Sequence, residues 1–169
     1  YLASLFGKTE LGLQTSTLIL TILIIQFVGI AGSFIFSYFA RKFGNLQSLK
    51  ISIIIWAGVC FGAYSLSADD PNVVYKFYVI GGLVGLVMGG IQAISRSTYS
   101  KMLPETHSHA SFFSFYDVSE KIAIVAGTLV YGYLIHLTGS MKMSALALSL
   151  FFVAGLLLIM RVRRSKYVR

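Results

Sequence analysis

The sequence predicts an all-α, polytopic transmembrane helix bundle, and three observations predict it. Apolar residues make up 56% of the 169 residues and charged residues only 12%, whereas a soluble domain carries about a quarter charged residues. Mean hydropathy is +0.78, the balance of a chain whose outer face meets lipid. The apolar residues also gather into five long runs, each near the roughly 20 residues a helix needs to cross the hydrocarbon core. Barrel strands would be about ten residues long with alternating polarity; these runs are longer and do not alternate.

In chain order, residues 1–13 (YLASLFGKTELGL) read as the outer end of a preceding membrane helix and its loop. Residues 14–160 hold five predicted spans, at about 16–40, 49–68, 74–99, 111–137 and 143–160, and residues 161–169 form a basic tail. Turn formers separate the spans: Gly44 and Asn45, Asp69 to Asn72, Pro104 to Ser108, and Thr138 to Ser140.

Lys and Arg mark the cytoplasmic side of a membrane protein. The first connection carries Arg41 and Lys42 with Lys50 nearby, Arg96 and Lys101 flank the third, and the tail holds Arg161, Arg163, Arg164, Lys166 and Arg169. The second has Asp69 and Asp70 with Lys76 at its edge, and the fourth only Lys142. Alternate connections are basic, which predicts that the first, the third and the C-terminus are cytoplasmic and that Tyr1 lies outside. An outside start followed by five spans predicts further membrane helices before residue 1. The net charge of +8 does not signal nucleic acid, because the basic residues sit in loops and the tail rather than along one solvated face.

The single Cys60 excludes an internal disulfide and reads as a small apolar residue within the second span. His107 and His109 share a loop with no third ligand, so no metal site is expected. No nucleophile elbow, Walker loop or metal-binding helix motif is present. The expectation is no enzyme and no cofactor.

Helices in lipid associate through small residues, because burying apolar groups gains little when the solvent is also apolar. Gly81, Gly85 and Gly89 recur at four-residue spacing in the third span and stack on one face; Gly58 and Gly62 repeat the spacing in the second.

Ionisable residues at membrane depth need a partner or a water-filled cavity, which makes them functional candidates. The fourth span holds Asp117, Glu120 and Lys121. With a start near Ser111, Lys121 lies roughly 15 Å in, close to the midplane. Asp117 precedes Lys121 by four residues, the spacing and order of an ion pair on one helix face. Glu120 points about 100° away and is expected to reach Arg96 at the end of the third span. Gln26 and Gln92 are the polar neutral residues inside the first and third spans, available to a substrate or a neighbouring helix. Tyr116 reads as an interface anchor and also joins the candidates for a substrate pathway or gate.

The segment FSYFARKFGN, Phe36 to Asn45, resembles the short basic loop of major facilitator transporters. It keeps Lys42 and Gly44 but has Ser37 where that pattern has Gly and Arg41 where it has Asp. GGIQAISRSTYSKMLPE (Gly89 to Glu105) and FFSFYDVSEKIAIVAGTLVYGYL (Phe112 to Leu134) resemble the vacuole-effluxer-like branch of that superfamily, the autophagy-related amino-acid permeases and their bacterial relatives of unknown substrate. The matching positions are Gln92, Ser95, Arg96, Pro104, Phe115, Tyr116, Asp117, Lys121, Gly127 and Gly132; Glu120 stands where a small residue is expected. The resemblance implies the C-terminal half of a twelve-helix fold, with five complete helices here plus the end of one before them. It implies a substrate site between two halves near the midplane and alternating access.

The resulting expectation is a secondary active transporter of small solutes, with amino acids as the candidate class and a proton as the candidate coupling ion. A bacterial member would sit in the inner (plasma) membrane. Its partners would be membrane lipid, the small-molecule substrate and the N-terminal half of the same polypeptide. Two other readings are a flippase for lipids or lipophilic compounds on the same fold, and a non-transporting scaffold whose charges only lock helices together.

Overall fold

A computed structural model describes residues 2–103 and 108–161. Tyr1, Pro104, Glu105, His107 and the tail cations Arg163, Arg164, Lys166 and Arg169 lie outside the described residues. The helices are α1 (Leu2–Thr9), α2 (Thr15–Phe43), α3 (Asn45–Ser65), α4 (Val73–Met102), α5 (His109–Thr138) and α6 (Met141–Arg161). Helices α2 to α6 are all long and apolar enough to cross a membrane. At 29 residues α2 is roughly 44 Å long, more than the hydrocarbon core of about 30 Å. That excess carries Arg41, Lys42 and Phe43 beyond the apolar run while the backbone stays helical.

Gly44 alone separates α2 from α3, with φ 90° and ψ 154°, a conformation that only glycine adopts without strain. Asn45, expected in the turn, instead opens α3 and is 1% exposed. Its side-chain amide donates to Ser97 Oγ and Thr98 Oγ1, both at 3.2 Å, and its Oδ1 accepts from Lys101 Nζ at 3.2 Å. The polar start of α3 looks like a loop in the sequence because Asn45, Ser48 and Ser52 are hydrophilic. In the fold these three are buried, and the serine hydroxyls are satisfied by carbonyls one turn back, Gly44 O and Ser48 O.

The tightest contact in the bundle joins α2 to α4. Thr21 meets Gly81, Ile25 meets Gly85 and Gly29 meets Gly89, so the two helices run parallel in a constant register. A Cβ on Gly89 would lie 2.0 Å from the Gly29 carbonyl oxygen, one on Gly85 2.4 Å from that of Ile25, and one on Gly32 2.1 Å from that of Leu86. The backbones therefore touch. Gly58 has open space beside it and Gly62 meets only Ile80, at 3.4 Å, so the spacing in α3 does not make a comparable seam.

Around that pair, α3 packs on α4 and α6, and α5 on α6. Two apolar cores result. One gathers Phe6, Leu11, Leu13, Leu18, Leu66, Val73, Phe77, Tyr131 and Met141, drawn from five of the helices, the first loop and the residue that follows α3. The other, nearer Arg41, holds Phe36, Leu49, Val87 and Ile94 from α2, α3 and α4. At the first core the Glu10 carboxylate accepts the backbone N–H of Met141 and so caps the start of α6.

The turn before α4 is closed by the N–H of Val73 donating to the Asp70 carbonyl at 3.0 Å. The Asp70 carboxylate accepts from the Asn72 N–H at 2.9 Å and pairs with Lys76. The hydrogen bond from Lys76, and after it the one from Asn72, hold the Asp70 carboxyl below its ordinary range. Its share of loop stability is therefore present above the unfolded carboxylate range and lost as pH falls through the depressed value.

Two predictions follow from these contacts. Gly89→Val forces α2 off α4, and the overpacking is expected to cost roughly 1–3 kcal/mol, read as a lower thermal midpoint of the detergent-solubilised protein; Gly58→Ala, with open space beside it, leaves the midpoint in place or raises it. An NMR titration of Asp70 gives a midpoint below about 3.9, the reference for a free aspartate, and Lys76→Gln moves it upward.

Candidate functional site

The charged residues of α5 do not pair along their own helix. Asp117 Oδ1 accepts from Arg96 Nη2 of α4 at 2.6 Å, and among the described residues Lys121 makes no ion pair. The expected Asp117–Lys121 pair is thus replaced by a bridge between helices, and Asp117 rather than Glu120 takes Arg96. A planar guanidinium held across the cleft offers a charge-assisted bond with fixed geometry, which a flexible ammonium on the same helix does not match.

Aromatic side chains support the bridge. The Arg96 guanidinium carbon lies 5.9 Å from the Tyr116 ring centroid, within the range of a cation–π contact. Tyr116 in turn lies 5.0 Å from the Tyr99 ring. Tyr99 donates its hydroxyl to the Phe112 carbonyl at 2.9 Å and meets Phe113 edge-on at 5.9 Å. Tyr116 is half-buried between α4 and α5. These side chains join the two helices near the Arg41 end, where their backbones stay apart.

Beyond the bridge, α5 turns an open face outward. Lys121, Ile122, Val125, Ala126 and Leu129 line a shallow groove of about 340 Å³ in which Lys121 is the only polar side chain. With α5 starting at His109, Lys121 lies roughly 18 Å from the helix start. Gln92 is one turn of α4 from Arg96, on the side away from the Arg41 end, and is exposed; it does not line the Lys121 groove. Gln26 is exposed on α2, next to Ile25 at the glycine seam, and Glu120 is half-buried. The fold thus brings Arg96, Tyr116 and Asp117 together, and leaves Gln26, Gln92 and Lys121 on open faces. Because α2 and α4 are parallel, Arg41, Arg96 and Lys101 share one end of the bundle. Among the described residues no group of His, Cys, Asp and Glu could hold a metal ion.

Sequence reasoning missed Tyr99, which nothing in the local pattern separates from the other aromatics near span ends. It also missed Gly29 and Gly32, the α2 side of the seam; their three-residue spacing in an apolar run was the available signal.

Five helices long and apolar enough to cross a membrane, with a polar bridge between two of them, define a multi-pass integral membrane protein. The chain belongs to the vacuole effluxer Atg22-like family, whose model matches residues 1–169. It is 30% identical to an uncharacterized MFS-type transporter, YxiO, of Bacillus subtilis, over 89% of this chain and 34% of that protein. It is 30% identical to autophagy-related protein 22 of Eremothecium gossypii, over 91% of this chain and 31% of that protein, and 28% identical to autophagy-related protein 22-1 of Penicillium rubens, over 97% and 29%. The chain spans about a third of the length of these relatives. No solved structure is significantly similar to it.

A double-mutant cycle tests the bridge. Arg96→Gln and Asp117→Asn are each expected to lower the thermal midpoint, with a coupling of about 0.2–1 kcal/mol between them, the range of an exposed ion pair. Lys121→Gln combined with Asp117→Asn is expected to show no coupling.

Proposed function

We propose that this chain forms the C-terminal portion of a secondary active transporter for small solutes, with its Arg41 end in the cytoplasm. The observation that carries this reading is Lys121, a cation at mid-span depth that has no ion pair among the described residues and sits in an otherwise apolar groove. A charge left so at the centre of a bilayer is costly unless it faces a hydrated pathway. A scaffold that only locks its helices would pair every such charge, as Arg96 and Asp117 are paired. In this reading the Arg96–Asp117 bridge closes the cytoplasmic side of the pathway, and Tyr116 holds the guanidinium in place. Lys121, Gln92, Glu120 and Gln26 lie further toward the outside, where a substrate would be held between this bundle and the rest of the polypeptide.

Amino acids are the substrate class we favour, because Lys121 supplies a counter-charge for a carboxylate. Coupling to a proton fits the carboxylates Asp117 and Glu120, which lie beside the pathway in this arrangement. The apolar lining of the groove supports a second reading, movement of a lipophilic compound along α5.

Reconstitution of the full-length transporter into liposomes, with a panel of amino acids and with or without a pH gradient, tests the reading. Lys121→Ala is expected to abolish transport while membrane insertion and yield are kept. Unchanged transport in that variant removes Lys121 from the mechanism. Movement of a fluorescent lipid, without any amino-acid flux, selects the lipophilic reading instead.

A further inference from the structure

A polar cavity lies at the Arg41 end, between α2, α3 and α4, away from Lys121. Its volume is about 170 Å³, and its lining includes Ser37 and Arg41 of α2, Asn45 of α3, and Ser97 and Lys101 of α4. Two cations face this space, and among the described residues no carboxylate lines it. Among the described residues neither Arg41 nor Lys101 forms an ion pair. Lys101 spends one donor on Asn45 Oδ1 and retains two. Asn45 is fully engaged by Ser97, Thr98 and Lys101, so it fixes the wall rather than competing for a ligand. The two departures from the major facilitator loop pattern, Ser37 for Gly and Arg41 for Asp, both fall on this cavity. Each adds a donor, and the second also exchanges a negative charge for a positive one.

Donors on opposite walls suit an anion whose oxygens point in several directions. A guanidinium on α2 and an ammonium on α4, each with a serine hydroxyl on its own helix, match a tetrahedral phosphate better than a planar carboxylate. The surface next to the cavity is aromatic and apolar. Tyr38, Phe39 and Phe43 are exposed, Phe39 and Phe43 stack at 5.8 Å, and Lys42 lies 5.4 Å from the Phe43 ring centroid. Aromatic and basic side chains together at the end of a membrane helix mark the headgroup level. Acyl chains would run along the exposed aromatics while the headgroup phosphate enters the cavity.

We infer that the cavity between Arg41 and Lys101 is a binding site for a phosphate group, presented by an anionic phospholipid of the leaflet at the Arg41 end. The site is separate from the transport pathway, and its test reads binding rather than flux.

The full-length transporter is delipidated in detergent and titrated with phosphatidylglycerol, diacylglycerol or inorganic phosphate, with thermal midpoint and native mass spectrometry as readouts. Phosphatidylglycerol is expected to raise the midpoint and remain bound, and diacylglycerol, which lacks the phosphate, to do neither. Arg41→Gln leaves the Asn45–Lys101 junction intact, so the variant folds, and it is expected to weaken the lipid effect at least about tenfold, the loss of one charged hydrogen-bonding partner. Lys101→Gln is expected to act in the same direction. Lys42→Gln removes a neighbouring cation that does not line the cavity and is expected to weaken the lipid effect clearly less than Arg41→Gln does. Stabilisation by inorganic phosphate that Arg41→Gln abolishes, with none by phosphatidylglycerol, keeps the phosphate site and makes free phosphate its occupant. An unchanged phosphatidylglycerol effect in Arg41→Gln, or an equal effect from diacylglycerol, overturns the inference.

Discussion

The rest of this bundle depends on how closely α2 and α4 approach. Lipid is as apolar as the side chains it meets, so apolar burial alone gives membrane helices little reason to associate. Contact between backbones supplies dispersion energy that lipid cannot replace, and it requires a glycine at each point where one helix takes the other's carbonyl. Gly29, Gly32, Gly85 and Gly89 meet that requirement, with carbonyls of one helix seated against the α-carbons of the other. The seam also sets the depth of the polar residues, because a fixed register between two parallel helices places Arg41 level with Lys101. Asn45 then joins α3 to α4 at that level through three hydrogen bonds.

Helix α5 is held differently. Tyr131 seats it in the core at the Met141 end, and the Arg96–Asp117 bridge with Tyr99 and Tyr116 holds it near the opposite end. Between these two attachments its exposed residues include Ile122, Val125 and Leu129. Besides these attachments α5 packs on α6, and it has no glycine seam like that between α2 and α4. Three charged residues, Asp117, Glu120 and Lys121, sit on this helix.

The spans were legible because bilayer thickness imposes one length on every crossing element, and hydropathy reports that length directly. The ends were less so: α2 runs on through Arg41 and Lys42, and α3 begins at Asn45, since helices do not stop where hydrophobicity does. The glycine stripe of α4 was visible because its spacing is regular. Its partner on α2 was not, since a pairing of two helices is written in neither one alone. The same limit applies to Asp117. Its local spacing favours Lys121, yet Arg96, 21 residues earlier, competes from another helix with better geometry. Which faces meet lipid was also unreadable, because core and exterior are both apolar and the amphipathic contrast that orients a soluble helix is missing.

The cap that Glu10 places on Met141 links residues 131 apart in the chain. It fastens the segment before α2 to the first turn of the last helix and so closes the rim opposite Arg41 into a belt. A helix start needs an acceptor for its free N–H groups, and here that acceptor belongs to a distant stretch of chain. Prying the belt open would take an acceptor away from that helix start, so the contact opposes splaying of this rim.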